Sequence, residues 1–336
     1  MLASSVMRQR CVAPASASQR PIAPPRPQFS AVARPICWGA LPGERQVISA
    51  PTARAEPSSK PDLRCEAAAA SIPMSDADAE PQPNVLLAKI RAILFFMWSF
   101  TLSLPLFVTM LTMAPFVMAF DKYRRLAQHF VNNIWACVST SLFYRVTIEG
   151  KENLPPPDKP VVYVANHQSF MDIYSLFHLQ RPFKFISKTS NFLIPIIGWS
   201  MFLTGHVMIN RVDRRSQLKC LQQCRDLLAQ GAPVLFFPEG TRSLDCRLAG
   251  FKKGAFSVAA KAGVDVVPIT LIGTGALMPS GKESQLRPGE VRIVVHKPIP
   301  AAGRSADALC DEARAAVASS LPPALVGSAT TMLADD

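Results

Sequence analysis

Twenty-nine consecutive residues without a formal charge, Ala92 to Phe120, constrain this chain more than any other stretch. As a helix they would run to about 43 Å, more than the ~30 Å hydrocarbon core of a bilayer. Soluble cores seldom need so long an uncharged helix, so the segment is expected to sit in a membrane. Pro105 and Pro115 interrupt it, which predicts either a kinked span or a pair of short helices dipping into one leaflet. Lys89 and Arg91 flank one end and Lys122, Arg124 and Arg125 the other, so charge bias sets no orientation.

What precedes this segment is a different kind of sequence. Met1 to Gly43 carries five arginines, no lysine and no acidic residue among Ala, Ser, Pro and Val. That is transit-peptide composition, and its proline density argues for a plastid over a mitochondrial presequence. Residues 1–65 are read as the transit peptide, with processing near Leu63-Arg64-Cys65, and the acidic, proline-containing residues 66–88 as a solvated linker. The net charge of +12 divides into +6 for residues 1–65, −4 for 66–88 and +10 for 89–336. A folded part this basic suits an anionic membrane surface, a phosphorylated substrate or an acidic partner protein. No arginine-rich tract interleaved with aromatics points to nucleic acid, and none is expected as a partner. The eight cysteines are scattered without a CxxC pair, so neither a disulfide framework nor a metal site is expected, and Cys220 and Cys224 read as core.

Beyond the apolar segment the pattern becomes globular. His129 to Ser141 is amphipathic at helical spacing, and with the apolar segment it makes residues 89–142 a membrane-associated helical region. Short apolar runs then alternate with helical stretches. Strands are expected near 143–150, 160–165, 183–187, 206–209, 233–237, 264–272 and 291–296, with helices over 216–230, from about 252 to Gly263, and over 305–321. This alternation predicts an α/β domain over 143–322, a mixed or largely parallel sheet flanked by helices, followed by a disordered tail, 323–336.

Three polar loops leave strands in that domain, and α/β sheets bind ligands outside the carboxyl ends of their strands. The first is Asn166-His167-Gln168-Ser169-Phe170-Met171-Asp172. Its imidazole, with a carboxylate five residues on to hold one tautomer, can take a proton from a substrate hydroxyl. The second, Gly205 to Arg211, and the third, Glu239-Gly240-Thr241-Arg242-Ser243, supply guanidinium groups. Arg211 and Arg242 suit bidentate phosphate binding, Gly240 permits close backbone approach, and Thr241 adds a hydroxyl and an N–H. Glu239 is better suited to orient an arginine or a substrate hydroxyl than to meet a phosphate. No G-x-S-x-G elbow makes Ser169 a nucleophile, and it is expected to bond backbone or substrate. Walker A, dinucleotide and H-E-x-x-H signatures are absent.

These loops, with Val267-Pro268-Ile269, occur in the order and approximate spacing of the four motifs of the glycerophospholipid acyltransferase family. Over about residues 145–300 the chain resembles that family, and within it the plastid-type 1-acyl-glycerol-3-phosphate acyltransferases of plants and algae. The resemblance implies that His167 is the general base and Asp172 its partner. It implies that Arg211 and the Glu239 to Arg242 loop bind the glycerophosphate, with Asn166, Ser169, Gly205 and Pro268 contributing to the substrate site. Asn210 stands where the family often has an Asp. The implied reaction moves an acyl chain from a thioester, carried by acyl carrier protein or coenzyme A, to the 2-hydroxyl of lysophosphatidic acid. It needs no further cofactor, and the implied location is a plastid membrane, the inner envelope. The motifs fix the chemistry better than the acceptor, so glycerol-3-phosphate or another lysophospholipid is the alternative acceptor, and an inactive membrane lipid-binding protein the non-enzymatic alternative.

Overall fold

Val162 to Ala165 is buried on both faces because helices cover both sides of the sheet it centres. The computed structural model describes residues 84 to 326; the expected transit peptide, nearly all of the linker and the last ten residues lie outside the described residues. Two helices come first, α1 (Val85–Phe120) and α2 (Leu126–Ser141). The rest runs β1 (Arg145–Glu149), β2 (Val162–Ala165), α3 (Met171–Phe177), β3 (Lys184–Lys188), α4 (Ile197–Thr204), β4 (Val207–Ile209), α5 (Arg214–Ala229) and β5 (Val234–Phe236). It continues with α6 (Gly254–Ala262), β6 (Val266–Ile272), α7 (Thr274–Leu277), β7 (Glu290–Val295) and α8 (Ala306–Ser319).

The seven strands lie in the order β1-β7-β6-β2-β5-β3-β4. Every neighbouring pair is parallel except β6 and β7, so β1 and β7 run against the other five. The sheet is therefore mixed and largely parallel, as the alternation of strands and helices predicts. Strand periodicity divides its side chains between two cores. Tyr163, Leu235, Val267 and Ile269 join Phe95 of α1, Ala136 of α2 and Tyr174 of α3 on one face. Val162, Val164, Val234 and Val266 meet Cys220 and Cys224 of α5, Phe256 of α6 and Leu309 of α8 on the other.

Of the two forms expected for the apolar segment, α1 takes the single one: it is a continuous helix of 36 residues that passes through both prolines, not a pair of short helices. Each proline removes one N–H from the ladder, yet the helix continues through both; one turn after the first, Thr109 Oγ1 donates to the Pro105 carbonyl at 3.0 Å. One stripe, including Ala88, Ala92, Phe95, Ser99 and Ser103, faces the fold, whereas Ile93, Met97, Phe100, Leu104, Val108 and Phe116 are exposed. Among the described residues α1 is the one helix long and apolar enough to cross a membrane. The helix begins at Val85, inside the expected linker.

Two further boundaries move. Residues 323–326 are ordered: Pro323–Leu325 forms a 3-10 turn, and Leu248 N–H donates to the Leu325 carbonyl at 2.7 Å, because Leu248 sits in a small core with Val317 and Leu321. The uncharged stretch after Lys188 becomes a 3-10 turn (Thr189–Leu193) and α4, which ends at Gly205 in the left-handed region, φ 77°.

Candidate active site

The Asn166 to Asp172 loop leaves the central strand β2 and turns at once into α3, whose first turn holds Asp172. This reversal brings the carboxylate back to the imidazole: His167 Nδ1 lies 2.8 Å from Asp172 Oδ2. The same oxygen accepts from the backbone N–H groups of Gln168 and Ser169, at 2.7 and 2.9 Å. Asp172 is fully buried and pinned by three donors, so it fixes the ring with a proton on Nδ1 and leaves Nε2 as a base. Phe237, at the exit of β5, stacks on the imidazole with ring centroids 3.9 Å apart and an interplanar angle of 15°. The His167 side chain keeps 14% of its surface exposed, enough for a substrate hydroxyl to reach it.

Glu239 ties the first loop to the third. Its Oε1 accepts from the His167 N–H at 2.7 Å and its Oε2 from the Ala249 N–H at 3.0 Å, while Ser243 N–H donates to the His167 carbonyl at 2.9 Å. Both sides of the His167 peptide are thereby clamped. Burial is the main force raising the Glu239 carboxyl to about 7, with the charge of Asp172 adding to it and the two backbone donors opposing.

The cationic side of the site comes from the second and third loops. Arg211 follows β4 on an exposed turn; partial burial, and then the charge of Arg242, lower its guanidinium below the ordinary value. The two guanidiniums thus lie within electrostatic reach of each other, although they come from loops about thirty residues apart. Arg242 Nη1 pairs with Glu283 Oε1 at 2.8 Å. Gly240 has φ 82°, and a Cβ built there would come within 3.1 Å of the Lys252 side chain, so the glycine lets that lysine lie across the loop. Thr241 is exposed beside it.

Five of the expected substrate contacts instead turn inward. Asn166 accepts from Leu271 N–H at 2.7 Å and donates to the Leu271 carbonyl at 2.9 Å, fastening the ends of β2 and β6. Ser169 donates to the Met278 carbonyl at 2.7 Å and accepts from Met171 N–H, so of its two expected partners it has the backbone. Glu239 is a brace with both oxygens engaged, and is 4% exposed. Gly205 caps α4, with the Arg125 guanidinium packed on it. Pro268 is a buried β6 residue paired with Val164 of β2. For Asn166, Ser169 and Glu239 a buried backbone N–H or carbonyl from a distant segment needs a partner, and the motif side chain supplies it. Phe237, Lys252 and Glu283 escaped the sequence reading: Phe237 and Lys252 look like strand and helix-start residues, and Glu283 lies in a turn far along the chain.

Next to the catalytic loop, α1, α2, α3 and the start of α4 border an apolar cleft of about 390 Å³, lined by Phe96, Met97, Phe100, Trp135, Tyr174 and Ile197. Phe96 also meets Phe170 of the loop itself, with centroids 6.1 Å apart.

The profile of the Acyltransferase family matches residues 145–272, which span the sheet from β1 to β6 and all three loops. A 1-acyl-sn-glycerol-3-phosphate acyltransferase of Chlamydomonas reinhardtii is 74% identical over 98% of this chain and 99% of its own length. The chain belongs to the 1-acyl-sn-glycerol-3-phosphate acyltransferase family. A chloroplastic acyltransferase of that family from Arabidopsis thaliana is 54% identical over 72% of this chain and 67% of its own. The crystal structure of the 1-acyl-sn-glycerophosphate acyltransferase of Thermotoga maritima superposes with a TM-score of 0.58 at 29% identity, covering 68% of this chain and 94% of that one.

Proposed function

We propose that this protein transfers an acyl chain from a thioester to the 2-hydroxyl of 1-acyl-glycerol-3-phosphate, forming phosphatidate. The observation that carries the reading is the 2.8 Å contact between His167 Nδ1 and Asp172 Oδ2, which leaves Nε2 as a base beside two cationic loops. Nε2 takes the hydroxyl proton as the oxygen attacks the thioester carbonyl, and Asp172 stabilises the imidazolium. The tetrahedral intermediate collapses by breaking the C–S bond, and the proton passes to the departing thiolate. Arg211 and Arg242, with the Gly240 and Thr241 backbone, hold the acceptor phosphate. The fatty chain lies in the apolar cleft, whose Phe96 meets Phe170 of the catalytic loop and whose Met97 and Phe100 are exposed residues of α1. The thioester is a co-substrate, and the reaction as written draws on no metal or organic cofactor.

Similarity to chloroplastic relatives supports a plastid site of action, and α1 supports a membrane one. We assign the inner envelope, with acyl carrier protein as donor, because the charge of +10 over residues 89–336 suits an acidic carrier. Purified protein mixed with lysophosphatidate and labelled thioesters tests the reading. Label at the 2-position, lost in His167→Ala, is the expected result; no transfer by the wild type would overturn it, and a preference for coenzyme A would overturn the carrier assignment.

A further inference from the structure

Acyl transfer at the 2-hydroxyl leaves the phosphate of the acceptor untouched. Whatever cations hold lysophosphatidate therefore hold phosphatidate equally well, and an enzyme built on this grip alone retains its product. Resting on the proposed reaction, we propose that Glu283 is the resident counter-anion of the phosphate site, occupying Arg242 when the site is empty and retaking it as product leaves.

Arg242 and Glu283 meet at 2.8 Å with side chains 36% and 37% exposed, so an incoming anion can reach the guanidinium and exchange with the carboxylate. Glu283 does not depend on Arg242 for its position. Its Oε1 also accepts from Gly281 N–H at 3.2 Å, inside a turn closed by the Lys282 N–H to Pro279 carbonyl and Gln285 N–H to Lys282 carbonyl bonds. A carboxylate tethered this way competes with phosphate as an intramolecular ligand. The neighbouring charges favour its presence: Arg211 lies close enough to Arg242 to lower its own guanidinium, and among the described residues Arg211 makes no ion pair. An empty site without Glu283 would leave two guanidiniums within electrostatic reach of each other and Arg242 without its carboxylate. Burial works against the Glu283 carboxylate, but its own N–H, that of Gly281 and the Arg242 charge outweigh it and hold the group below the usual carboxylate range, so it is ionised when the acceptor arrives.

A supporting residue and a competing anion differ in the sign of one measurement. If Glu283 merely held Arg242 in place, Glu283→Gln would weaken acceptor binding. As a competitor its loss strengthens it, by about two- to fivefold for an exposed ion pair. The experiment uses the full chain in detergent micelles. Expected for Glu283→Gln are a lower KM for lysophosphatidate, a matching fall in the inhibition constant of phosphatidate, an unchanged KM for the acyl thioester, and tighter binding of inorganic phosphate by calorimetric titration. The same substitution in an Arg242→Ala background should change none of these. A KM that rises, a fall shared equally by the donor, or an undiminished effect in the Arg242→Ala background overturns the proposal. The phosphate titration needs no turnover, so it judges Glu283 even if lysophosphatidate proves not to be the acceptor, whereas the acceptor assay of the wild type judges the reaction. If the amide variant folds poorly, Glu283→Ala is read by the same titration against the same criteria.

Discussion

Glu239→Gln separates the brace read from the structure from the substrate contact expected of this residue. The substitution keeps size and shape but replaces one acceptor oxygen with a donor. Because the side chain is 4% exposed, no water replaces the lost acceptor, and either His167 N–H or Ala249 N–H is left facing an amide NH2. One unsatisfied buried N–H costs about 1–3 kcal/mol, or roughly 2–12 °C in apparent Tm for a fold of this size. The loss has a pH dependence whose sign follows from burial. Glu239 holds its proton to about 7 in the folded state against 4.5 when unfolded. Between these values the native state binds more protons, so wild-type stability falls as pH rises through that window, while the amide variant has no such slope. The gap in Tm should therefore narrow from pH 5 to pH 8. In activity, loosening the His167 peptide displaces the base, and a shift on the order of 1 Å costs about 10²-fold in rate. Steady-state assays should show kcat reduced ~10- to 100-fold with little change in the KM for lysophosphatidate. A large rise in that KM with kcat and Tm preserved would refute the brace and restore Glu239 to the substrate.

Other substitutions probe the remaining parts. Asp172→Asn can turn its amide oxygen to the three donors that now share Oδ2, since Oδ1 has no hydrogen-bond partner, so folding should persist while kcat falls about 10²-fold or more from loss of the charge opposite the imidazolium; circular dichroism and single-turnover assays check both. Arg242→Ala should raise the KM for lysophosphatidate ~10-fold or more, in line with a lost charge-assisted contact, and leave the donor KM alone. Lys184 is buried, donates to the Arg124 and Thr204 carbonyls at 2.6 and 2.7 Å, and is lowered from 10.5 to about 7 by burial and then by Arg125. Between those values the unfolded state binds more protons, so stability should rise with pH from about 7 upward; melting from pH 7 to 9.5 should show that slope in the wild type and its loss in Lys184→Met. Phe237→Leu removes the ring stacked on His167 and should lower kcat with KM unchanged, and Phe237→Tyr should restore it.

The fold was legible in the sequence to the extent that periodicity and turn residues carry it. The strands that became β1 to β7 stand within a few residues of their expected places, because β1 alternates with strand period and most of the others are short apolar runs bounded by Pro, Gly or a charged loop. The short helices α3, α4 and α7 were not legible. At four to eight residues each, they lack a full amphipathic period, and packing against α1, α2 and β7 holds them rather than propensity.

The sequence by itself determined the strands, the longer helices, the apolar α1 and the candidacy of His167 and Asp172 as a pair, five residues apart in one loop. Tertiary structure decided which polar residues of the motifs face solvent and which face the fold. Asn166, Ser169 and Glu239 share their motifs with His167, Asp172 and Arg242, yet they spend their hydrogen bonds on Leu271, Met278 and the His167 peptide. Nothing in residue type distinguishes the two groups, because a buried backbone N–H or carbonyl that needs a partner exists only once distant strands and loops have been brought together. For the same reason the contact of Glu283 with Arg242, forty-one residues away along the chain, belongs to the fold alone.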